Sequence, residues 1–383
     1  MRILQKCLWP RSRPRDAQRV CIYRIGNIGD IVCALPAIHA IRRAYPDAHL
    51  TLLTSPGRKG AIGAADLLEG APWLDELDIY YAEDIKGFRQ IVRFLRRLRE
   101  RAFDVWIELP PDLAPIRRML RDIFVARATG ARWACGWQMG TVRVATQAQS
   151  ELLTFPNEVD RLLAIVAECG IPVGETVFPL PINEHHRRYV DEILRKDGLT
   201  GKPLVVIAPG AKRSTNRWPL DRFSEVGRHL VGEGFKVLVM GGATDSESCA
   251  SIVSAIGPGA FSVAGKLSLL ESCEMLRRCD LLICNDSGVQ HLAAAVGAQC
   301  LSLFSFWQPQ RKWWPYGPQH TVLQKWVECH TCYLNLCPYD NRCIKLIETD
   351  EVIAWADKKL DIRSSSVTER LRVASPGYNQ LVK

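Results

Sequence analysis

The sequence predicts an α/β protein built from two parallel-sheet domains, and three observations carry that prediction. Short apolar runs alternate with helix-length amphipathic segments, as in strands joined by helical crossovers. The alternation runs once, halts at Pro172, Gly174, Pro179 and Pro181, and restarts at Leu204. A chain of 383 residues is also long for one hydrophobic core and suits two.

In the first series the apolar runs at 20–25, 50–54, 79–80 and 105–109 read as strands. Between them lie helices at 31–44, where Ile31, Leu35, Ile38 and Ile41 share a face, at about 85–101, and at 116–128. A helix over 158–169 closes the series and stops at Gly170, a common helix terminator. The second series has strands at 204–208, 236–240, 281–284 and 300–304, with helices at 220–232, 245–256, 269–278 and 287–296. This divides the chain into a basic extension (1–17), an N-terminal domain (18–176), a C-terminal domain (177–362) and a flexible tail (363–383). Two Rossmann-like domains facing a cleft are expected.

Apolar content of 47% and charged content of 24% are those of a soluble globular protein. No apolar run reaches the length of a membrane span. The first 19 residues hold arginines and prolines without an apolar core, so they do not read as a secretory signal. Of fourteen cysteines, Cys21, Cys33, Cys284 and Cys300 sit inside apolar segments, where reduced cysteine acts as a small hydrophobe. A cytoplasmic protein without structural disulfides follows.

The net charge is +9, with arginines concentrated in the first half. The run over 89–101 reads as a solvated helix face. Arg58, Lys59, Arg117 and Arg118 lie nearest expected strand ends and are candidates for holding an anionic partner. No nucleic-acid module is present and the aromatics are not interleaved with the basics. On charge alone a phosphorylated glycolipid at a membrane surface fits as well as nucleic acid.

The stretch Arg24-Ile25-Gly26-Asn27-Ile28-Gly29-Asp30 joins the first strand to its helix. Glycines at such a turn let backbone approach a ligand. Asp30 is then either a helix cap or a carboxylate aimed past the strand ends. Neither the dinucleotide fingerprint nor a P-loop is present. In the second half, Asn285-Asp286-Ser287-Gly288 opens a helix carrying His291, and free N–H groups at a helix start suit a diphosphate. Pro209-Gly210-Ala211 leads into Lys212, Arg213, Ser214, Thr215 and Arg217, and Gly241-Gly242 leads to Asp245. Capping is the plain alternative for Asp245, Asp286 and Ser287, and a satisfied core position is that for His291.

Ile28-Gly29-Asp30-Ile31-Val32 with Leu35-Pro36-Ala37, then Ala208-Pro209-Gly210-Ala211, Arg217-Trp218-Pro219, Met240-Gly241-Gly242 and Asn285-Asp286-Ser287-Gly288 with His291, together resemble glycosyltransferase family nine, the ADP-heptose:lipopolysaccharide heptosyltransferases. Their order and spacing carry the resemblance, which spans positions 18 to 360. It implies the GT-B architecture and inverting transfer of a heptose from a nucleoside diphosphate donor, ADP-linked in that family. The acceptor would be the lipopolysaccharide core or a related anionic glycolipid, with the enzyme in the cytoplasm or peripheral on the inner membrane face. Asp30 would be the general base. Lys212, Ser214, Thr215, Arg217, Asp245, Asp286, Ser287, Gly288 and His291 would hold the donor, and catalysis would require no cofactor. A protein acceptor is the alternative within that class. A sugar-nucleotide epimerase is disfavoured, because the fingerprint and a Tyr-x3-Lys pair are missing.

Two departures from the family pattern bear on the donor. Asn216 precedes Arg217-Trp218-Pro219 where many members have lysine, and Ser305-Phe306-Trp307 follows the strand at 300–304 where Gly-Pro-Thr is frequent. Finally, Cys329-x2-Cys332-x4-Cys337-x5-Cys343 gathers four thiols that suit tetrahedral zinc or iron, or else a structural loop knot. A non-catalytic, metal-containing interaction protein built on that loop is the reading furthest from an enzyme.

Overall fold

The computed structural model describes residues 8–9, 12–112, 115–138 and 155–362. The chain divides into two compact units, Met1–Pro181 with Arg311–Trp313, and Ile182–Gln310 with Trp314–Lys383.

The first unit runs β1 (Arg19–Ile25), α1 (Ile28–Ala44), β2 (His49–Ser55), α2 (Ala64–Leu68), β3 (Glu76–Ile79), α3 (Phe88–Glu100), β4 (Val105–Glu108), α4 (Ile116–Ala128), β5 (Trp133–Cys135) and α5 (Glu158–Glu168). Its sheet has the order β3-β2-β1-β4-β5. All pairings are parallel, with Val20 opposite both Leu50 and Val105. A central parallel strand is covered on both faces, so it reads as a continuous apolar run. Val20 to Tyr23 are buried accordingly, and so is Arg24, the charged exception. On one face Leu98 of α3 and Met119, Ile123 and Ala126 of α4 pack with Tyr23 and Trp106. Trp9 joins this core, stacking on Trp137 at 5.1 Å and donating its indole N–H to the Ala131 carbonyl at 3.0 Å. The basic extension is therefore anchored at Trp9 and at buried Ala17. Residues 1–7 and 10–11, with the tail 363–383, lie outside the described residues.

The second unit runs α6 (Glu184–Lys196), β6 (Leu204–Ala208), α7 (Leu220–Gly232), β7 (Lys236–Val239), α8 (Ser246–Ile256), β8 (Ala260–Ser262), α9 (Leu269–Arg277), β9 (Leu281–Asn285), α10 (Gly288–Ala295), β10 (Cys300–Phe304), β11 (Thr321–Gln324), α11 (Arg342–Lys345) and α12 (Thr349–Lys359). Its parallel sheet has the order β11-β10-β9-β6-β7-β8. Trp218 anchors the core, edge-on to Phe223 at 4.9 Å, with its indole N–H on the Ile347 carbonyl at 2.9 Å. Helix α6 falls between the proline-rich linker and β6, where no element was expected. Asn183 starts it by accepting from the His185 and His186 amides at 3.0 and 3.3 Å, while its charged composition hides any apolar stripe.

Strand order reverses between β1 and β4 in one sheet and between β6 and β9 in the other. Ligands of such sheets sit past the carboxyl ends of the strands at these reversal points. No helix among the described residues is long and apolar enough to cross a membrane.

One expectation is overturned. Cys135 at the end of β5 and Cys169 after α5 form a disulfide with Cα atoms 6.0 Å apart. Their proximity is a product of topology, and the sequence separation of 34 residues gave no signal of it. A bridge closing a loop of that length stabilises by about 3–4 kcal/mol. Replacing both cysteines with serine should lower urea-measured stability by about that much without reductant, and far less in dithiothreitol.

Candidate active site

In the first unit the chemistry gathers where β1 and β4 end. Asp30 lies in the first turn of α1, whose cap is Asn27. One carboxylate oxygen accepts from the Asn27 amide at 2.9 Å, and the other lies 3.4 Å from the Arg24 guanidinium. Asp30 thus takes part in capping from inside the helix, yet its side chain keeps 22% of its exposure. A Cβ on Gly26 would fall 2.1 Å from the Asp30 Cβ, so only glycine lets the carboxylate lie against the strand end. Burial raises the Asp30 pKa, with Arg24 opposing.

Behind Asp30 stands a charge cluster that sequence reasoning missed. Glu158, the first residue of α5, is wholly buried. It receives Arg24 at 3.2 Å, Arg161 at 2.7 Å and Lys312 at 2.8 Å. Despite burial, hydrogen bonds and charge from these cations, Arg161 foremost, lower its pKa to about 2. Arg24 also donates to the carbonyls of Leu109 and Pro110 at 3.2 and 3.0 Å, which ties the ends of β1 and β4 together. Asp112, just past β4, shares this field: burial and then Glu158 raise its pKa, while Lys312 and Arg161 oppose. Lys312 belongs to the short segment Arg311–Trp313, and its backbone carbonyl accepts the Glu158 amide at 2.9 Å.

The candidate anion-holding cations are more scattered. Arg58 and Lys59 lie in the exposed loop after β2, with Lys59 paired to Asp84 at 2.7 Å. Arg117 is exposed on α4, whereas Arg118 turns part of its side chain inward, its Nε buried without a partner among the described residues.

In the second unit the ends of β10, β9, β6 and β7 lie side by side, and side-chain amides join those of β10, β9 and β6. Asp286 accepts from Asn216 at 2.9 Å, Gln308 at 3.1 Å and Gln290 at 3.2 Å. Burial pushes its carboxyl up to about 7, with Arg213 and Gln290 opposing. Asn285 binds the Trp218 amide at 3.1 Å and the Pro209 carbonyl at 2.7 Å. Ser305 donates to Asn216 at 2.7 Å, and the Arg213 guanidinium lies over the Trp307 ring at 3.7 Å. The two departures from the family pattern therefore touch each other. Asn216, standing where lysine is usual, is held by Ser305 from the altered segment after β10.

Asp245 is not a simple cap. Its carboxylate accepts from the Gly242 amide at 3.3 Å, reaches Arg217 at 3.5 Å, and would lie 2.6 Å from a Cβ on Gly210. Ser287 precedes α10 without a side-chain capping bond, Gly288 opens the helix and His291 is buried one turn in. Ser214 and Thr215 form a short 3-10 turn with Asn216, and the Thr215 hydroxyl is buried without a partner among the described residues. Lys212 lies in the loop before that turn.

The cysteine loop, read as either a metal site or a structural knot, carries four free thiols. Cys329, Cys332, Cys337 and Cys343 are free and half-buried. Burial raises the Cys332 and Cys343 thiols, each further raised by neighbouring loop cysteines. Among the described residues no three His, Cys, Asp or Glu side chains converge as a metal-holding set.

Two parallel-sheet units with their strand ends dressed in this way define the GT-B architecture of glycosyltransferases. Residues 91–342 match glycosyltransferase family 9 (heptosyltransferase), and the chain belongs to that family of enzymes. It is 19% identical over 318 residues to the lipopolysaccharide core heptosyltransferase OpsX of Haemophilus influenzae, covering 81% of this chain and 85% of that protein. Among solved structures, a family 9 glycosyltransferase from Veillonella parvula DSM 2008 aligns with a TM-score of 0.73 at 20% identity, over 92% of this chain and 100% of that one. The iron-containing dodecameric glycosyltransferase TibC of enterotoxigenic E. coli H10407 aligns with a TM-score of 0.53 at 15% identity, over 91% and 77%. A further TibC structure is a complex with ADP-D-β-D-heptose.

Removing a buried anion strands its partner cations, which typically costs about 3–5 kcal/mol. Glu158→Gln should lose about that much in urea denaturation at neutral pH. Because the folded pKa is depressed, the stabilisation is present above the ordinary glutamate value of about 4.3 and fades as pH falls toward about 2. The Gln variant should lack that part of the acid transition.

Proposed function

We propose that this protein transfers heptose, with inversion, from ADP-heptose to a phosphorylated acceptor of the lipopolysaccharide core or a related anionic glycolipid. Family membership supports the reaction class, and OpsX and TibC, by their names and ligand, point to the sugar and nucleotide. The reading puts the enzyme in the cytoplasm, at the membrane face where a nucleotide sugar meets a lipid-linked acceptor. The observation that carries it is Asp30: a part-exposed carboxylate of raised pKa at the strand-order reversal, fixed by the Asn27 amide and Arg24.

In the proposed step Asp30 takes the proton from an acceptor hydroxyl as its oxygen attacks the anomeric carbon. The bond from that carbon to the diphosphate oxygen breaks, and the diphosphate leaves with the electron pair. N–H groups at the start of α10, with Lys212, Arg213 and Arg217, receive that charge. The sequence contains no Asp-x-Asp pair, and in this reading these side chains supply the neutralisation. Arg58, Lys59, Arg117 and Arg118 are proposed for the acceptor's anionic groups, and Asp245 for the donor ribose.

Asp30→Asn should reduce kcat by about 10²–10⁴-fold, the usual loss for a positioned base, while ADP-heptose affinity by titration calorimetry stays unchanged. Near-normal turnover would remove Asp30 from the mechanism. Because burial raises the Asp30 pKa, with Arg24 opposing, the acid limb of wild-type kcat should be displaced upward from the ordinary aspartate value.

Asp286 supplies a separate signature. Its carboxyl is neutral below about 7 and anionic above, where it repels a bound diphosphate. Affinity for ADP-heptose, whose diphosphate does not titrate in this range, should fall from pH 6 to pH 8. Asp286→Asn should flatten the dependence. A flat wild-type profile, or an unchanged slope in the variant, would move the diphosphate elsewhere.

A further inference from the structure

Helices α3 and α4 pack on the same face of the first sheet, with Leu98, Met119 and Ile123 turned into the core. Outward they leave an uncovered apolar surface. Phe88 is 81% exposed and Phe124 62%, with Ile91 and Val92 on α3 and Ile116 and Leu120 on α4 exposed beside them. Monomer surfaces seldom show large apolar side chains grouped in this way without a partner.

The charge around these residues is one-sided. Helix α3 carries five arginines and a single acidic residue, Glu100. The acid of α4, Asp122, is buried against Arg121. Arg89, Arg93 and Arg117 are exposed and make no ion pair among the described residues. Solvation accounts for the arginines taken alone, as the sequence suggested, but not for exposed phenylalanines between them.

We infer that the outer face of α3 and α4 docks on an anionic lipid bilayer. Phe88, Phe124 and their aliphatic neighbours would enter the boundary between headgroups and acyl chains, with the arginines against lipid phosphates. Interfacial helices combine these two features, and each basic residue near an anionic surface adds to the attraction. Charge decides between occupants. A second copy of this chain meeting the face symmetrically would set arginine against arginine with little acid to offset it. Nucleic acid would use the cations but leave isoleucine, valine and leucine without a role, since its bases stack on aromatic planes. The inference rests on the glycolipid reading for its setting, but the vesicle measurement that tests it uses neither donor nor acceptor.

Purified full-length protein is sedimented with phosphatidylcholine vesicles and with vesicles of phosphatidylcholine and phosphatidylglycerol. Binding at least tenfold tighter to the anionic vesicles, weakened by salt, is expected. The double variant Phe88→Ser, Phe124→Ser should lose at least tenfold in vesicle affinity, with an unchanged melting temperature because both side chains are exposed. Wild-type protein that ignores both vesicle types, or a variant that binds as well as wild type, would overturn the inference. A variant that changes oligomeric state by analytical ultracentrifugation while keeping vesicle affinity would assign the face to a second copy. Transfer to a water-soluble acceptor fragment reports separately: its failure with vesicle binding intact would sink the proposed reaction and leave the docking surface standing.

Discussion

Glu158 places a carboxylate in the interior of the first unit with no water to stabilise it, so the protein must surround it with charge. Arg24, Arg161 and Lys312 do so at 2.7 to 3.2 Å. Each cation comes from a different part of the chain: a central strand, the helix that Glu158 opens, and a segment distant in sequence. A buried ion set of this kind is an uncertain source of net stability, but it is intolerant of rearrangement. Arg24 cannot move without abandoning Glu158, and Asp30 rests on Arg24. The geometry of the first strand end is thereby fixed by an interaction most of which lies out of solvent.

The two units solve the same problem by different chemistry. Parallel sheets bring several strand ends to one edge, where loops must be held without a further strand to pair with. The first unit uses formal charges. The second uses side-chain amides converging on Asp286, one of them held in turn by the Ser305 hydroxyl, with Asn285 bracing the β6 and β9 ends. The diphosphate site proposed above would gain from this choice, because amides can scaffold the loop while leaving the Arg213 guanidinium over the Trp307 ring.

Much of this architecture was legible from the chain. Parallel strands buried on both faces announce themselves as apolar runs, and Leu204–Ala208 and Cys300–Phe304 emerge with the expected ends. The edge strands β5, β8 and β11 escaped, being three or four residues long and without a pattern of their own. Asp30 and Asp286 stood out by position in a motif. Glu158 read only as a helix start, and Lys312 had no signal, since its role depends on where the chain returns. Arg24 offered a clue in retrospect: an arginine inside a buried strand needs a reason. The departures at Asn216 and Ser305, separately puzzling as sequence, make sense as one hydrogen-bonded pair.

The position of Lys312 also sets an order of events during synthesis. Domains generally fold as units while the chain emerges, the N-terminal one first. Here the N-terminal unit emerges with Glu158, Arg24 and Arg161 but without its third cation, which follows only after β10 of the second unit. Edge strand β11, which finishes the second sheet, comes shortly after Lys312. A nascent chain arrested before this stretch would therefore hold a finished first sheet whose buried Glu158 lacks one of its three cations, and a second sheet still missing its edge strand β11.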